Sequence, residues 1–434
     1  MLEKHLDNCL LRLEAILLLE GKVDLLEAMF SPDIWISVLN KGADKTIPLV
    51  VLQQWSSVQK RTTLLNDIIA GTYFIKPPAV KKIPKDNGKY REIYVNTPDD
   101  RVVLAAVNQA FYKLYDASLA PSCKAYREGR SCAKTVREVA KHLLYGYKLD
   151  LSKYFDSVSH EVINYTLAEL DTGSPLEKVL YDYYNDDTVY INNVLSSRFK
   201  SLAQGCAVSS FLANYILKDV DFAMQDVCEY YCRYSDDMLI LCKTEIQATK
   251  ALAVLETMLR DLGLELNPNK IEYITPDKEY RFLGFGVCGR NITISEKDFL
   301  LKKKEVKHAC KAVKSTSRKL RLCDVIKAVQ KIFFSKTDPT FGWLYSKSLG
   351  INNFDRLSEL DAYCKDCIRA TITGSWNYTH NLKQIPEEKL RLAGYVSLVH
   401  MAKLAQTDRA LYETEHLLRI KQNKFGEYYE TNSL

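Results

Sequence analysis

The chain has 434 residues, long enough for several buried cores and so for two or three subdomains. Its 60 Lys and Arg against 54 Asp and Glu leave a net charge of +6, too mild by itself to argue for nucleic acid. No stretch approaches the roughly 18 apolar residues of a membrane span, and the 12 cysteines, many set in apolar runs, suit a reducing cytosol rather than a disulfide framework.

Residues 1–72 read as a helical extension. Leu10, Leu11, Leu13, Ile16, Leu17 and Leu18 recur at spacings that bury one helix face, while Arg12, Glu14 and Glu20 interrupt the apolar run and no signal-peptide pattern is present. Gly21 and Ser31-Pro32 punctuate the segment. It is either a brace for the rest of the chain or a docking extension for RNA or protein. From Tyr73 the character changes: Lys81-Lys82-Ile83-Pro84-Lys85 and Gly88-Lys89-Tyr90-Arg91-Glu92-Ile93-Tyr94-Val95 predict a β-hairpin with basic edges. A helix starts near Pro98-Asp99-Asp100-Arg101 and runs through Val102, Val103, Ala106 and Val107. In Tyr126-Arg127-Glu128-Gly129-Arg130-Ser131, Gly129 permits a positive φ and Ser131 can cap a helix beginning at Ala133.

The stretch Tyr147 to His160 brings the first candidate for chemistry. Lys148-Leu149-Asp150-Leu151 looks like the end of a buried strand, with Asp150 at its edge. Tyr184-Asn185-Asp186-Asp187 closes a helical pattern that begins near Leu176 and reads as a polar helix end or loop. Gln204-Gly205 opens a helix carrying Phe211, Leu212, Ile216 and Leu217. Then two β-prone runs, Tyr231 to Tyr234 and Met238 to Cys242, flank Ser235-Asp236-Asp237, the mark of a tight hairpin turn. Two adjacent carboxylates at one point mean either a solvated turn or a site for divalent cations. Asp150 offers a third. Two Mg²⁺ ions held about 4 Å apart by aspartates activate a 3′-hydroxyl and stabilise a leaving pyrophosphate. Mg²⁺ suits such a site because it takes few carboxylates plus water and substrate phosphates, and Mn²⁺ is an alternative.

An amphipathic helix over 248–262 ends at Gly263, Asn267-Pro268-Asn269-Lys270 turns into a strand over 271–274, and Arg281 to Val287 reads as a glycine-containing hairpin. Residues 295–434 are mostly helical. Between Lys302 and Arg321 stand nine Lys or Arg, Arg318 and Lys319 among them, and one acid, Glu305; the run is either a solvated helix face or a phosphate contact. Cys364-x-x-Cys367 reads as two helix cysteines, with no second pair at zinc-finger spacing.

Asp150-x4-Phe155, Gln204-Gly205, Tyr234-Ser235-Asp236-Asp237, Lys270 and Phe282-Leu283-Gly284-Phe285 follow in the order of the palm motifs of reverse transcriptases. Any one is weak; five in order are specific. From about residue 75 to residue 290 the chain resembles a bacterial reverse transcriptase, and its compact layout resembles the stand-alone enzymes of the defence and abortive-infection type. The resemblance implies an α+β right-hand polymerase: a helical N-terminal extension (1–72), fingers and palm with an antiparallel sheet (73–294), and a helical thumb with a C-terminal extension (295–434).

It also implies roles. Asp150, Asp236 and Asp237 hold the metals, Leu151 lends a backbone carbonyl, and Lys270 is the acid that protonates pyrophosphate. Arg91 and Lys89 meet the triphosphate. Arg127 and Arg130, in a stretch like the family's Phe-Arg-x-Gly-Arg-Ser segment, lie near template or nucleotide phosphates. Phe155 sits beneath the sugar, where a ring excludes a 2′-hydroxyl, unless it is only a core aromatic. Gln204 lies beside the sugar and Tyr234 against the primer end. Phe282 and Gly284 form the primer grip, and Lys303 and Lys307 grip the duplex. The implied activity is RNA-directed DNA synthesis from dNTPs, giving cDNA on a noncoding RNA template in cytoplasmic antiviral defence. Two rivals stay open: untemplated or protein-primed synthesis, hinted at by Tyr428 and Tyr429, and a catalytically silent RNA-binding scaffold. A homo-oligomer or a partner protein is also compatible.

Overall fold

The computed structural model describes residues 24–41, 46–84, 88, 90–316, 320–335 and 338–418. The leucine-rich helix expected between Leu10 and Leu18, Lys89, Arg318, Lys319, Tyr428 and Tyr429 lie outside the described residues. The class is α+β. Two compact units divide the chain: one holds the described residues up to Gly129 together with Gly146–Tyr273, the other Arg130–Tyr145 and the described residues from Ile274 onward.

The first unit contains eight strands: β1 (Ala79–Pro84), β2 (Tyr90–Val95), β3 (Tyr145–Asp150), β4 (Thr188–Ile191), β5 (Val194–Ser197), β6 (Tyr230–Tyr234), β7 (Asp237–Cys242) and β8 (Glu272–Ile274). They form two four-stranded sheets, ordered β2-β1-β4-β5 and β6-β7-β3-β8. The first begins with the expected antiparallel hairpin, Ala79 opposite Val95 and Pro84 opposite Tyr90. In the second, β7 is buried along nearly its whole length because the helix Glu245–Asp261 covers it and the helix Lys218–Val227 covers β6. Fully covered strands carry runs of apolar residues rather than alternation, which is what Met238-Leu239-Ile240-Leu241-Cys242 displays. β3 lies so close to β7 that a Cβ on Gly146 would collide with the Ile240 carbonyl, so glycine is needed there.

The helix Pro98–Tyr115 starts where its sequence says it should: the Thr97 hydroxyl accepts from the Asp100 N–H at 3.2 Å, and Pro98 occupies the first turn. Its buried face ends at Phe111, whose ring stacks on Phe211 with centroids 4.9 Å apart, joining this helix to the one over Val208–Tyr215.

The second unit holds a three-stranded antiparallel sheet, β9 (Tyr280–Phe282), β10 (Phe285–Cys288) and β11 (Asn291–Ile294), in the order β11-β10-β9. The helices around it include Cys132–Val139, Glu296–Thr316 and Asp355–Thr373. The sequence boundary at 294/295 therefore does not coincide with the division between units. Long-range polar contacts explain why the hairpins go with the helices: Asn352 and Asn353 N–H groups both donate to the Ile292 carbonyl at 3.0 Å, and Arg356 pairs with Glu279 at 2.9 Å. Cys364 and Cys367 are buried free thiols in the helix Asp355–Thr373. Among the described residues no helix is long and apolar enough to cross a membrane.

Candidate active site at the Ser235–Asp236 turn

Tyr234 and Asp237 face each other at the end of the β6–β7 ladder, so the turn between them is the two-residue Ser235-Asp236. Ser235 has φ +61°, as the first central residue of such a turn requires. Its hydroxyl lies 3.1 Å from the Tyr126 hydroxyl. From behind, the turn is braced by Arg233, whose side chain is fully buried. The guanidinium donates to Asp221 Oδ1 at 2.8 Å, to the Asn214 carbonyl at 3.1 Å and to the Ser235 carbonyl at 3.3 Å. Burial disfavours the Arg233 cation, but Asp221 beside it more than offsets this and holds the group charged.

β3 is the neighbour of β7, and this brings Asp150 to the turn. The Leu151 N–H donates to the Asp236 carbonyl at 3.1 Å, and the Asp150 carbonyl accepts from the Asn267 N–H at 2.8 Å. Three carboxylates from two strands are thus within electrostatic reach of one another. Burial, and then the Asp150 charge, raise the pKa of Asp236. Burial, followed by the charges of Asp236 and Asp150, pushes Asp237 up to about 6. Lys270 answers part of this negative charge: its ammonium donates to both Asp150 oxygens at 2.7 Å. Among the described residues no three His, Cys, Asp or Glu side chains are already closed around a metal position.

Arg91, exposed on β2, is near enough for its charge to lower the Asp236 pKa, against the larger effect of burial. Gln204 is tied to the same strand, its carbonyl accepting from the Tyr94 N–H at 2.8 Å. Gly205, at φ +114°, lies so close that a Cβ would come within 2.8 Å of the Tyr94 carbonyl. Phe155 is half-buried, edge-on to Tyr154 with ring centroids 5.7 Å apart. Tyr184-Asn185-Asp186-Asp187 stands at the end of the helix Pro175–Asn185, with the Tyr184 hydroxyl buried 2.9 Å from Ser209.

Arg127 is a correction. Expected near phosphate, its guanidinium instead makes paired bonds to Asp116 at 2.7 and 3.0 Å and donates to the carbonyls of Ala120 at 2.8 Å and Cys123 at 3.1 Å. With its donors turned inward, it clamps the loop after the helix Pro98–Tyr115.

In the second unit, the β9–β10 turn is Leu283-Gly284, both with positive φ (+49° and +78°). Phe282 is fully buried. Lys347, which the sequence did not single out, pins this turn: its ammonium donates to the Gly284 carbonyl at 2.7 Å and pairs with Asp298 at 2.9 Å. Arg130 and Lys307 are exposed. Lys303 is drawn inward, 3.5 Å from Glu359 and over the rings of Phe299 and Tyr363, so its stem packs a helix pair rather than standing free.

Residues 83–287 match the family model of the reverse transcriptase (RNA-dependent DNA polymerase). This stretch is a reverse transcriptase domain. The α+β architecture of the chain is of the right-hand polymerase class. The chain is 24% identical over 172 residues to the Putative COX1/OXI3 intron 1 protein of Saccharomyces cerevisiae, covering 39% of this chain and 20% of the yeast protein. It is 22% identical over 267 residues to Protein YkfC of Escherichia coli, covering 51% of this chain and 69% of that one. The chain thus spans about a fifth of the length of the yeast relative. Among solved structures, apo telomerase from Candida tropicalis aligns with 13% identity and a TM-score of 0.45, over 81% of this chain and 67% of that one.

Within the reverse transcriptase domain, the motif-bearing residues were legible in the sequence and their supports were not. Arg233 stands directly before the Tyr234-Ser235-Asp236-Asp237 motif, and Lys347 lies outside the matched stretch and far from any motif. One signal existed for Arg233: a charged residue inside a strand otherwise reading as buried must find a partner.

Proposed function

We propose that this chain is an RNA-directed DNA polymerase that extends a 3′-hydroxyl with deoxynucleotides. The observation that carries the reading is the placement of Asp150 beside Asp236 and Asp237 on neighbouring strands. The donor set fits divalent metal. Burial and the neighbouring carboxylate charges raise the pKa of Asp236 and Asp237, a load that a hard cation relieves, and Mg²⁺ needs no pre-closed cage, since water and substrate phosphates complete its shell. Asp150, Asp236 and Asp237 would hold it, with the Leu151 carbonyl alongside and Mn²⁺ as a substitute. When bound, the metal supplies a lowered hydroxyl pKa and neutralisation of phosphate charge.

The chain's own residues do the rest. Arg91 binds the triphosphate, and its planar fork suits phosphate oxygens. Phe155 closes the space where a 2′-hydroxyl would lie, and Gln204, fixed to β2, orients the sugar. Lys270, when it leaves Asp150, can deliver a proton to pyrophosphate. Tyr234 and the pinned Phe282–Phe285 hairpin hold the primer, while Arg130 and Lys307 contact backbone phosphate. The finer reading, a noncoding RNA template and a role in antiviral defence, is supported by the resemblance to stand-alone bacterial enzymes.

The decisive experiment is incorporation of labelled dNTPs on a primed RNA template in Mg²⁺. Asp150→Ala and Asp236→Ala should each lower the rate by at least about 100-fold, or roughly 2.7 kcal/mol of barrier. Undiminished incorporation in either variant sinks the reading. Sequencing the RNA and cDNA that copurify with the protein tests the template.

A further inference from the structure

A groove of about 530 Å³ opens in the first unit, and no residue of the carboxylate site lines it. One wall is the helix His160–Glu169; the other is made by the start of the helix Lys218–Val227 and the end of the helix Glu245–Asp261. Between them the surface is apolar: Ile216 and Val220 are buried, and Val162, Met258 and Leu262 are half-buried. The Tyr165 ring, 67% exposed, adds to it. Four exposed carboxylates, Glu161, Glu169, Asp219 and Asp261, line the same groove, and among the described residues no Lys, Arg or His does.

Helix formation explains two of the four acids. Glu161 and Asp219 lie in the first turns of their helices, where the dipole favours negative charge. Glu169 and Asp261 are the last residues of theirs, where it opposes negative charge. Lys218 answers Glu169 at 3.9 Å and Asp219 at 4.0 Å. Among the described residues Glu161 and Asp261, on opposite walls, have no ion-pair partner. A chain with more bases than acids thus gathers uncompensated negative charge around an apolar trough. This rim repels a phosphodiester backbone, and a wholly apolar ligand would leave its charge unanswered. An amphipathic cation matches both parts. The walls are helices and offer side chains rather than an open sheet edge, so the complementary form is a helix laid in the groove, not an added strand.

We propose that this groove docks a basic amphipathic helix of a partner protein, with the helix's apolar stripe against Val220, Met258 and Leu262 and its Lys or Arg side chains against Glu161 and Asp261. The inference stands apart from the polymerase reading, since it uses none of the residues that carry it.

The test is fluorescence anisotropy with the full chain and three fluorescein-labelled synthetic peptides. The first is an alanine-rich helix with leucines at i, i+3, i+4 and i+7 and lysines flanking that stripe. The second has the same composition scrambled so that no apolar face forms, and the third replaces each lysine of the first by glutamate. The first should bind, the third should not, and the second should bind at least about tenfold more weakly than the first. Glu161→Lys plus Asp261→Lys should weaken the first peptide by at least about tenfold. Met258→Asp should weaken it too, although the added carboxylate would strengthen a contact made by charge alone. The charge-matched control Glu256→Lys plus Glu388→Lys, on exposed helical positions outside the groove, should leave affinity unchanged. Circular dichroism melting confirms that the variants fold. Absence of binding by the first peptide, equal binding of the scrambled one, or an equal loss in the control overturns the inference. Sedimentation should give the same oligomeric state for wild type and the Glu161→Lys plus Asp261→Lys variant. A wild-type dimer that this variant converts to monomer makes a second copy of the chain the occupant and overturns the partner reading.

Discussion

Lys270 sits where a cation belongs. Its ammonium bridges both oxygens of Asp150 at 2.7 Å, yet its side chain is 54% exposed. An ion pair that open to water contributes roughly 0–1 kcal/mol, so its interest lies in competition rather than stability. If Asp150 holds a metal as proposed, removing the positive charge beside it should favour that metal. Lys270→Met is expected to tighten Mn²⁺ binding several-fold, followed by electron paramagnetic resonance titration without substrate, while slowing nucleotide incorporation. Weaker Mn²⁺ binding in the variant would show that the lysine supports the ion instead. Asp237 gives a second residue-scale prediction. Its pKa of about 6 in the folded protein stands above the ordinary carboxylate value of about 4. The folded state therefore holds this proton more tightly than the unfolded chain, and stability falls as pH rises through that window. In EDTA at about pH 7.5, Asp237→Asn should melt a few degrees higher than wild type, at about 2–4 °C per kcal/mol for a unit of this size. The difference should vanish below about pH 4, and added Mg²⁺ should raise wild type more than the variant. Identical melting curves in EDTA at the higher pH would mean that the carboxylates do not crowd one another.

At the scale of elements, what could be read from sequence was what local rules decide. The β1–β2 hairpin, the helix start at Pro98, the Ser131 cap and the tight turn before Asp237 all follow from a few adjacent residues. What could not be read was pairing at a distance. Arg127 matched a family segment, but Asp116 lay upstream with a better claim on it. Lys347 and Gly284 are 63 positions apart, and no periodicity connects them. Arg233 and Asp221 are the sharpest case, a fully buried pair at 2.5 Å whose members sit on β6 and on the helix packed against it. Breaking such a pair leaves one charge buried without compensation and costs about 3–5 kcal/mol. Arg233→Met should therefore destabilise the fold by that amount in urea unfolding. Arg233→Met combined with Asp221→Leu should recover a large part, because both desolvation penalties disappear together. If the double variant is as unstable as the single, the Arg233 bonds to Asn214 and Ser235, rather than the pair itself, hold the hairpin.

For the whole molecule, the division of the chain into two contact-dense units has a thermodynamic consequence. The three aspartates, Lys270, Arg91 and Phe155 all belong to the first unit; the Leu283-Gly284 turn and Lys347 belong to the second. Each unit has its own buried residues, from Leu149, Phe211 and Ile240 in one to Phe285, Leu360 and Met401 in the other. Chains built this way commonly depart from a single all-or-none transition. Scanning calorimetry in EDTA should show two overlapping transitions. A ligand stabilises only the state that binds it, so Mg²⁺ should raise the transition of the first unit and leave the other in place. Asp150→Asn should remove that shift without moving the second transition. A single peak that Mg²⁺ displaces as a whole would show instead that the units melt as one cooperative body.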